Sequence, residues 1–301
     1  MEPICFGITN NTLKKMNKYY DSQMISNADE HILLNAQAIG CEIAVDDQLN
    51  ATFTGQNAIH EAKRWNKKIA QRIEKAKNSD ALCQVHHIGA AETGSADYIG
   101  PLCVVACYVP QEYVKTINDF GIDDVNALSN QEIIDYAKTI KGHIISSLLV
   151  LDNSHYNKMI KSGINQANIR SRLFNQSIVN VLQKAKTNVE FKVINQFVSP
   201  KTYFNYLKNE VIVVKDLMFE TDADCKYAAV LAAEIISRYA YLQYFASMAN
   251  SLKIPLERGS GTNVDQIVAQ IANKYGEKIL TKVVKQNFAN TKRVKAILEN
   301  K

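Results

Sequence analysis

Two carboxylates lie in a glycine-rich stretch about a third of the way along the chain. Residues 89–101 combine glycines and other small residues with Glu92 and Asp97. Small residues between two apolar runs are typical of a tight strand-turn-strand connection, whose backbone another molecule can approach closely. Carboxylates at such a turn can bind a cation or transfer a proton, but many acidic glycine-rich turns are purely structural. The pattern alone leaves both roles open.

An α/β domain is predicted to carry this turn. Nearly continuous apolar runs, typical of buried strands, alternate with segments of helical periodicity. The predicted strands lie at residues 99–109, 144–151, 191–197 and 211–219, and the predicted helices at 130–140, 166–186, 225–250 and 264–274. Strands that alternate with helices indicate an α/β domain with a mixed sheet.

The N-terminal part of the chain is predicted to form a separate, smaller domain. A helical segment at 12–20 precedes three short strand-like runs at 32–39, 41–45 and 51–54, each bounded by polar residues or glycine. Such runs are typical of an antiparallel sheet. Helical periodicity, which follows the last of these runs, fades around residues 78–84, and a new strand pattern starts at Val85. We therefore assign residues 1–77 to the first domain, 78–84 to a linker and 85–301 to the second domain.

The composition indicates a globular protein with a mild excess of positive charge. The 301 residues are 47% hydrophobic and 22% charged, with a formal net charge of +5. No apolar run reaches the roughly 18 residues of a membrane helix, and the first residues lack a signal-peptide pattern, so we expect a cytoplasmic protein without membrane contact. Basic residues concentrate at 63–77 and 274–301. Each stretch is either a solvated helix face or a surface that contacts phosphates.

Several segments, in order along almost the whole chain, resemble the ribonuclease HIII family of type 2 ribonucleases H. Residues 89–101 are similar to the family's first active-site segment, 194–203 to its second acidic segment and 219–227 to its third. Further similar segments lie at 53–57, 61–65, 165–180, 231–239, 259–266 and 286–291. The resemblance implies a ribonuclease H-like mixed sheet flanked by helices, preceded by a small α+β domain like TATA-binding protein.

The same resemblance implies a reaction and its cofactors. The family hydrolyses the RNA strand of RNA/DNA hybrids with two Mg²⁺ or Mn²⁺ ions, which are held by four carboxylates. We expect an RNA/DNA hybrid as the partner and a monomeric protein.

This chain departs from the family at two of the four acidic positions. Ala91 stands at the first and Asn195 at the third, whereas Glu92 and Asp224 are retained and are the expected metal ligands. Two carboxylates offset half the charge of two divalent ions, and Mg²⁺ tolerates such a deficit poorly. We therefore expect at most one weakly bound ion.

Other departures accompany these two. Ala96 replaces a glycine of the turn, Val125 and Asn126 replace a serine and a lysine, and Glu234 replaces a serine of the helix after the third segment. A single substitution cannot explain all of them, so the pattern favours divergence of the whole site. We expect a pseudoenzyme, a protein whose cleavage activity is lost or strongly reduced.

Nucleic-acid binding depends on other groups and can persist without cleavage. The expected contacts are Gly94, Ser95, Ala96 and Tyr98 at the turn, and Lys63, Arg64 and Lys67 in the first domain. Tyr98 either contacts the sugar edge of the hybrid or packs at the turn.

Two alternatives remain open. The first is an active endonuclease with a rearranged or single-metal site, in which Glu234, Asp97 or Asp222 replaces a lost ligand. If Asp224 belonged to the same helix as Glu234, the two would point in different directions, about 15 Å apart along its axis. The second is a protein-interaction scaffold without a nucleic-acid role.

Overall fold

The structure, a computed structural model, describes residues 3–26, 30–66, 84–122, 124–186, 189 and 191–299. Its contacts divide the chain into two compact units, Met1–Leu82 and Cys83–Lys301. The linker predicted at 78–84 lies outside the described residues apart from Gln84.

The first unit is an antiparallel sheet with helices packed on one face. Its strands are β1 (Ile4–Gly7), β2 (Ile32–Ala38), β3 (Cys41–Asp46) and β4 (Asn50–Thr54), in the order β1-β4-β3-β2. Its helices are α1 (Asn10–Tyr19) and α2 (Ala58–Trp65). Alternate strand residues, such as Phe53, pack with Met16 of α1 and Ala62 of α2 in one core. The predicted small α+β domain is confirmed.

The second unit is built on a mixed sheet. Its strands are β5 (His87–Thr93), β6 (Leu102–Val109), β7 (Ile145–Leu151), β8 (Phe191–Asn195) and β9 (Met218–Glu220), in the order β7-β6-β5-β8-β9. Neighbours among β5, β6 and β7 are antiparallel, whereas β5, β8 and β9 run parallel. The predicted fold class is confirmed, and the carboxyl ends of β5, β8 and β9 meet at one edge.

Helices cover both faces of this sheet. They are α3 (Gln111–Asn118), α4 (Asn130–Ile140), α5 (Asn153–Lys161), α6 (Gln166–Ala185), α7 (Pro200–Tyr206), α8 (Ala228–Leu252), α9 (Thr262–Tyr275), α10 (Leu280–Val283) and α11 (Asn290–Glu299). Alternation along β5 separates two cores: Ala91 packs with residues of α4 and α8, and Ala90 packs with residues of α6. Each face of β5 therefore reaches a different helix.

Strand β5 and helix α8 pack in unusually close contact. A Cβ atom at Gly89 would overlap the backbone of Ala229 and Val230, so only glycine fits there. The buried His87 accepts a hydrogen bond at Nε2 from the backbone N–H of Ala229 (3.0 Å) and donates from Nδ1 to the Val85 carbonyl (2.8 Å). Burial lowers the pKa of His87 to about 4. The neutral imidazole thereby accepts a hydrogen bond from a backbone N–H of the first helical turn, which has no partner within the helix.

The strand predicted at 211–219 is mostly wrong, since only Met218–Glu220 is a strand. The buried side chain of Asn175 on α6 donates to the Ile212 carbonyl (2.7 Å) and accepts from the Val214 N–H (3.0 Å). This amide takes the hydrogen bonds that a neighbouring strand would otherwise provide. Residues 211–217 therefore form no strand, and Asn175 binds their backbone to helix α6.

Helix α8 is the longest helix described and is rich in apolar residues. Even so, no helix in the described part of the chain combines the length and the hydropathy needed to cross a membrane.

Candidate active site

The carboxyl edge of the parallel strands brings Glu92, Asn195 and Asp224 together. Glu92 precedes the last residue of β5, and Asn195 ends β8, which is paired in parallel through Ala90 and Ile194. Asp224 lies in the loop between β9 and α8. The amide Nδ2 of Asn195 donates a hydrogen bond to Asp224 Oδ1 at 3.2 Å. The three segments predicted to share a site therefore do converge.

A cavity of about 240 Å³ opens beside these residues. Ala91 contributes only a buried methyl group to its wall. The full lining is Ala91, Glu92, Arg170, Phe174, Asn195, Gln196, Phe197 and Glu234. Side chains from two strands and two helices thus surround one polar space.

Arg170 of α6 is the basic residue of this lining. Its Nη2 lies 3.0 Å from Glu92 Oε1, and the side chains are 22% and 8% exposed. Its guanidinium also stacks over the ring of Phe197, 4.0 Å from the centroid. The arrangement neutralises the buried carboxylate of Glu92 with a protein cation.

Glu234 of α8 faces the same cavity. Burial and, to a lesser extent, the negative charges of Asp224, Glu92 and Asp124 raise its pKa to about 7, while Arg238 opposes the shift. At neutral pH this carboxyl is therefore protonated in a large fraction of molecules. Helix α8 begins at Ala228, so Asp224 lies outside it and the helical separation expected between Asp224 and Glu234 does not apply.

Asp97 and Asp222 do not join this lining. Asp97 is 5% exposed and accepts hydrogen bonds from the Gly259 N–H (2.6 Å) and from Arg258 Nε (3.4 Å). Asp222 is exposed, with a positive φ of 52°. Of the three substitute ligands considered, the geometry favours Glu234 alone.

The residues at the edge do not fit a pair of divalent ions. Ala91 offers no ligand atom, Asn195 turns an N–H toward Asp224, and one oxygen of Glu92 is paired with Arg170. In the part of the chain that the structure describes, no three His, Cys, Asp or Glu side chains are grouped to hold a metal ion. The structure therefore disagrees with the two-metal site that the resemblance implied.

The turn after β5 is held from within the second unit. Gly94 has a φ of 101° and packs against Tyr241, so its glycine is required by conformation and by space. Ser95 is half-buried, and its carbonyl accepts a bond from Gln166 Nε2 (2.7 Å), whereas Ala96 is exposed. Only part of this turn is therefore exposed.

Tyr98 is 1% exposed and forms a hydrogen bond with Thr291 (3.1 Å). This placement favours the packing role over contact with a sugar. Next to it, the buried ammonium of Lys285 donates to the carbonyls of Asp97 (2.9 Å), Gly100 (2.5 Å) and Pro101 (3.5 Å), and burial lowers its pKa to about 8. Lys285 therefore cannot belong to a phosphate-contacting surface at 274–301.

The structure describes two of the three basic residues that were predicted to contact nucleic acid in the first unit. Arg64 pairs with Glu61 (3.1 Å) and lies over the ring of Tyr19. Lys63 is half-buried, and Lys67 lies outside the described residues, as does most of the basic stretch at 63–77.

Arg170 and Phe197 were missed by the sequence reasoning. Both lie inside segments that resemble the family, at 165–180 and 194–203, but a lone arginine on a helix reads as a solvated residue. An apolar face around Ile169 and Phe174 was the one available signal that this turn of the helix is buried.

Comparisons with known proteins show the family to which the chain belongs. The family model for Ribonuclease HII matches residues 88–291. A Ribonuclease HIII of Listeria monocytogenes serotype 4b (strain F2365) is 33% identical over 290 residues, which is 94% of each chain, and that of Bacillus subtilis (strain 168) is 30% identical over 299 residues, 96% of each. The crystal structure of Bst-RNase HIII in complex with Mn²⁺ is similar over 100% of both chains, with a TM-score of 0.76 and 25% identity. The chain therefore belongs to the ribonuclease HII family and, within it, groups with the ribonuclease HIII proteins.

Proposed function

We propose that this protein binds RNA/DNA hybrids and cleaves their RNA strand weakly or not at all. One observation carries the proposal: Ala91 and Asn195 stand where the family resemblance expects two of the four metal-binding acids. Glu92 and Asp224 alone cannot offset two divalent ions. The ions that would activate water and stabilise the leaving oxygen are therefore held poorly.

Binding is proposed to persist because it uses other groups. The face of the first sheet opposite its helices is at least partly exposed and carries a cross-strand row formed by Cys5, Thr52, Ala44 and Asn35. Hydroxyl and amide side chains can bond to sugars and base edges without a metal ion. This surface supports a role for the first unit in holding the hybrid.

A cleavage assay tests the loss of activity. The probe is an end-labelled RNA strand annealed to DNA, incubated with Mg²⁺ or Mn²⁺; Mn²⁺ is included because the Bst-RNase HIII crystal contains it. We expect product at the background rate, unchanged by Glu92→Ala. Metal-dependent turnover that disappears in this variant would overturn the proposal.

Restoring acids at positions 91 and 195 tests the proposed cause of the lost cleavage. The double variant Ala91→Asp, Asn195→Asp completes the four carboxylates and is expected to gain metal-dependent cleavage at least 10²-fold above the parent, because metal-ion catalysis supplies several kcal/mol. No gain would assign the loss to another feature of the site: Ala96, the segment at 124–126 or the pairing of Glu92 with Arg170.

Hybrid binding is measured separately, by fluorescence anisotropy at several salt concentrations. We expect hybrid affinity to exceed duplex DNA affinity and to fall steeply with salt, because phosphate contacts release counterions. Equal affinity for the two, or none, would favour the protein-interaction scaffold. We also propose a monomer that acts in the cytoplasm; light scattering in solution and imaging of the tagged protein test these two points.

A rearranged active site is the second candidate, and Glu234 favours it. This carboxyl lines the same cavity as Glu92 and is electrostatically coupled to Asp224. If Glu234 acts as a replacement ligand, the parent protein cleaves hybrid with Mn²⁺ and Glu234→Gln abolishes that activity. The same substitution has no effect on cleavage if the site is inactive.

A further inference from the structure

We propose that Arg170 is a resident cation that takes the place of a metal ion beside Glu92. The starting point is the disagreement between this site and the two-metal site of the resemblance. This proposal concerns the charge balance of the second unit, and it does not depend on whether hybrid is bound.

The carboxylate of Glu92 requires a nearby positive charge. It lies on β5, between β6 and β8, and its side chain is 92% buried. A buried carboxylate loses most of its hydration, so it needs a cation or several hydrogen bonds to stay ionised. Among the residues that line the cavity, Arg170 alone is basic, and its Nη2 contacts Glu92 Oε1 at 3.0 Å.

One further contact holds the guanidinium of Arg170 in this position. It stacks on the Phe197 ring at 4.0 Å, a cation–π arrangement that strengthens when water is excluded. One helical turn earlier on α6, Gln166 binds the Ser95 carbonyl of the turn that follows β5, which ties this part of the helix to that turn. The guanidinium thus lies between Glu92 and Phe197 before any ligand arrives, so little entropy is lost in forming the pair.

This cation also disfavours a divalent ion at Glu92. An ion that binds Glu92 would lie within a few ångströms of the guanidinium, where like charges repel strongly in a partly buried site. The other oxygen, Oε2, is buried and has no hydrogen-bond partner among the described residues, so Arg170 supplies the main compensation that this carboxylate has. Removing Arg170 should therefore both destabilise the fold and make room for a metal ion.

Thermal unfolding with and without Mn²⁺ tests the proposal on the full chain. The parent is expected to have the same Tm in EDTA and in millimolar Mn²⁺. Arg170→Gln is expected to lower the Tm by roughly 10 °C in EDTA, because it leaves a buried charge unpaired. Mn²⁺ should restore part of this loss, since a ligand that binds only the folded state stabilises it.

The matched control is Arg172→Gln, two residues along the same helix, where Arg172 pairs with Glu210 at 3.4 Å and both side chains are 33% exposed. Its Tm should change little and should not respond to Mn²⁺. A parent Tm that rises with Mn²⁺, and ceases to rise in Glu92→Gln, would overturn the proposal, because the metal would then bind beside Arg170. An unchanged Tm in Arg170→Gln would also overturn it.

A double variant keeps the test decisive if Arg170→Gln is poorly folded. Glu92→Gln with Arg170→Gln removes both charges, so most of the Tm lost in Arg170→Gln should return in EDTA. If the double variant is no more stable than Arg170→Gln, the arginine acts through packing alone and the proposal fails.

Discussion

The hydrogen bond from Asn195 to Asp224 shows how a neutral amide can stabilise a carboxylate at the edge of the sheet. An amide N–H satisfies the Asp224 oxygen at 3.2 Å without any shared cation. An aspartate at position 195 would instead place two carboxylates at that distance, and they would repel each other unless an ion or a proton joined them.

Asn195→Asp alone is therefore expected to destabilise the protein by about 1–3 kcal/mol at pH 8 without metal. Urea denaturation measures the change. The loss should shrink at pH 4, where one carboxyl takes up a proton, and in Mn²⁺. The exposed substitution Asn209→Asp serves as the control, and an equal loss there would contradict the explanation.

Glu234 should make the stability of the fold depend on pH. Its pKa is raised from 4.5 to about 7, so the folded state holds this proton more tightly than the unfolded state. The free energy of unfolding thus falls as the pH rises from about 4.5 to about 7. Above pH 7 the destabilisation caused by ionising Glu234 is complete.

Glu234→Gln removes this cost. The variant is expected to be more stable than the parent by about 1–3 kcal/mol at pH 8 and nearly equal to it at pH 4. Denaturation at both pH values, compared with the exposed Glu112→Gln, checks the result. A gain that is the same at both pH values would mean that packing, not ionisation, is responsible.

The sequence predicted that Glu92, Asn195 and Asp224 lie in one site, but it did not predict the residues around them. Glu92, Asn195 and Asp224 lie in motifs, so their meeting could be expected. The roles of Arg170 and Phe197 depend on the angle between α6 and the sheet, which no local pattern encodes.

At the scale of elements, the contact between β5 and α8 fixes the position of the site. Gly89 lets the first turn of the helix approach the strand, and His87 binds an N–H of that turn. The helix carries Glu234 in its second turn. A small displacement of α8 would therefore move a wall of the cavity away from Glu92.

Gly89→Ala is expected to destabilise the protein by about 3 kcal/mol or more, because its methyl group would overlap backbone that cannot rotate away. Chemical denaturation measures the loss. The control is Gly261→Ala, since a Cβ there meets no atom within 4 Å. Similar losses in the two variants would show that helix α8 can shift to accommodate a side chain.

Periodicity predicted best those elements that are stabilised by signals within their own sequence. The helix over Asn130–Ile140 starts with a Ser129 capping box and is found where it was predicted. The run at 211–217 has the composition of a strand, yet the side chain of Asn175 binds its backbone instead. A single buried amide from a distant helix thus overrides local propensity.

At the scale of the whole molecule, each unit contains a complete core. The buried residues of the first core lie between Ile4 and Ala62, and those of the second unit lie from Ile88 onward. The two-domain organisation could be predicted because the repeating pattern changes along the chain. The residues around the boundary carry no such pattern.

We therefore expect residues 84–301 to fold alone. This polypeptide should unfold in one cooperative transition, with the native fluorescence of its buried tyrosines, because no core residue of the second unit comes from the first. Denaturation followed by circular dichroism and fluorescence tests this. Non-coincident transitions by the two probes would contradict it.

Lys285 has a consequence for the order of folding events. Its ammonium reaches the Asp97 carbonyl across 188 residues of sequence, so this contact closes a very long loop. The ammonium fits among three carbonyls of an already formed turn, so we expect this contact to form after the rate-limiting step. In stopped-flow kinetics, Lys285→Met should then accelerate unfolding and leave the refolding rate nearly unchanged. A slower refolding phase would instead place the Lys285 contact in the folding nucleus, and the turn after β5 would be among the first parts of the unit to become ordered.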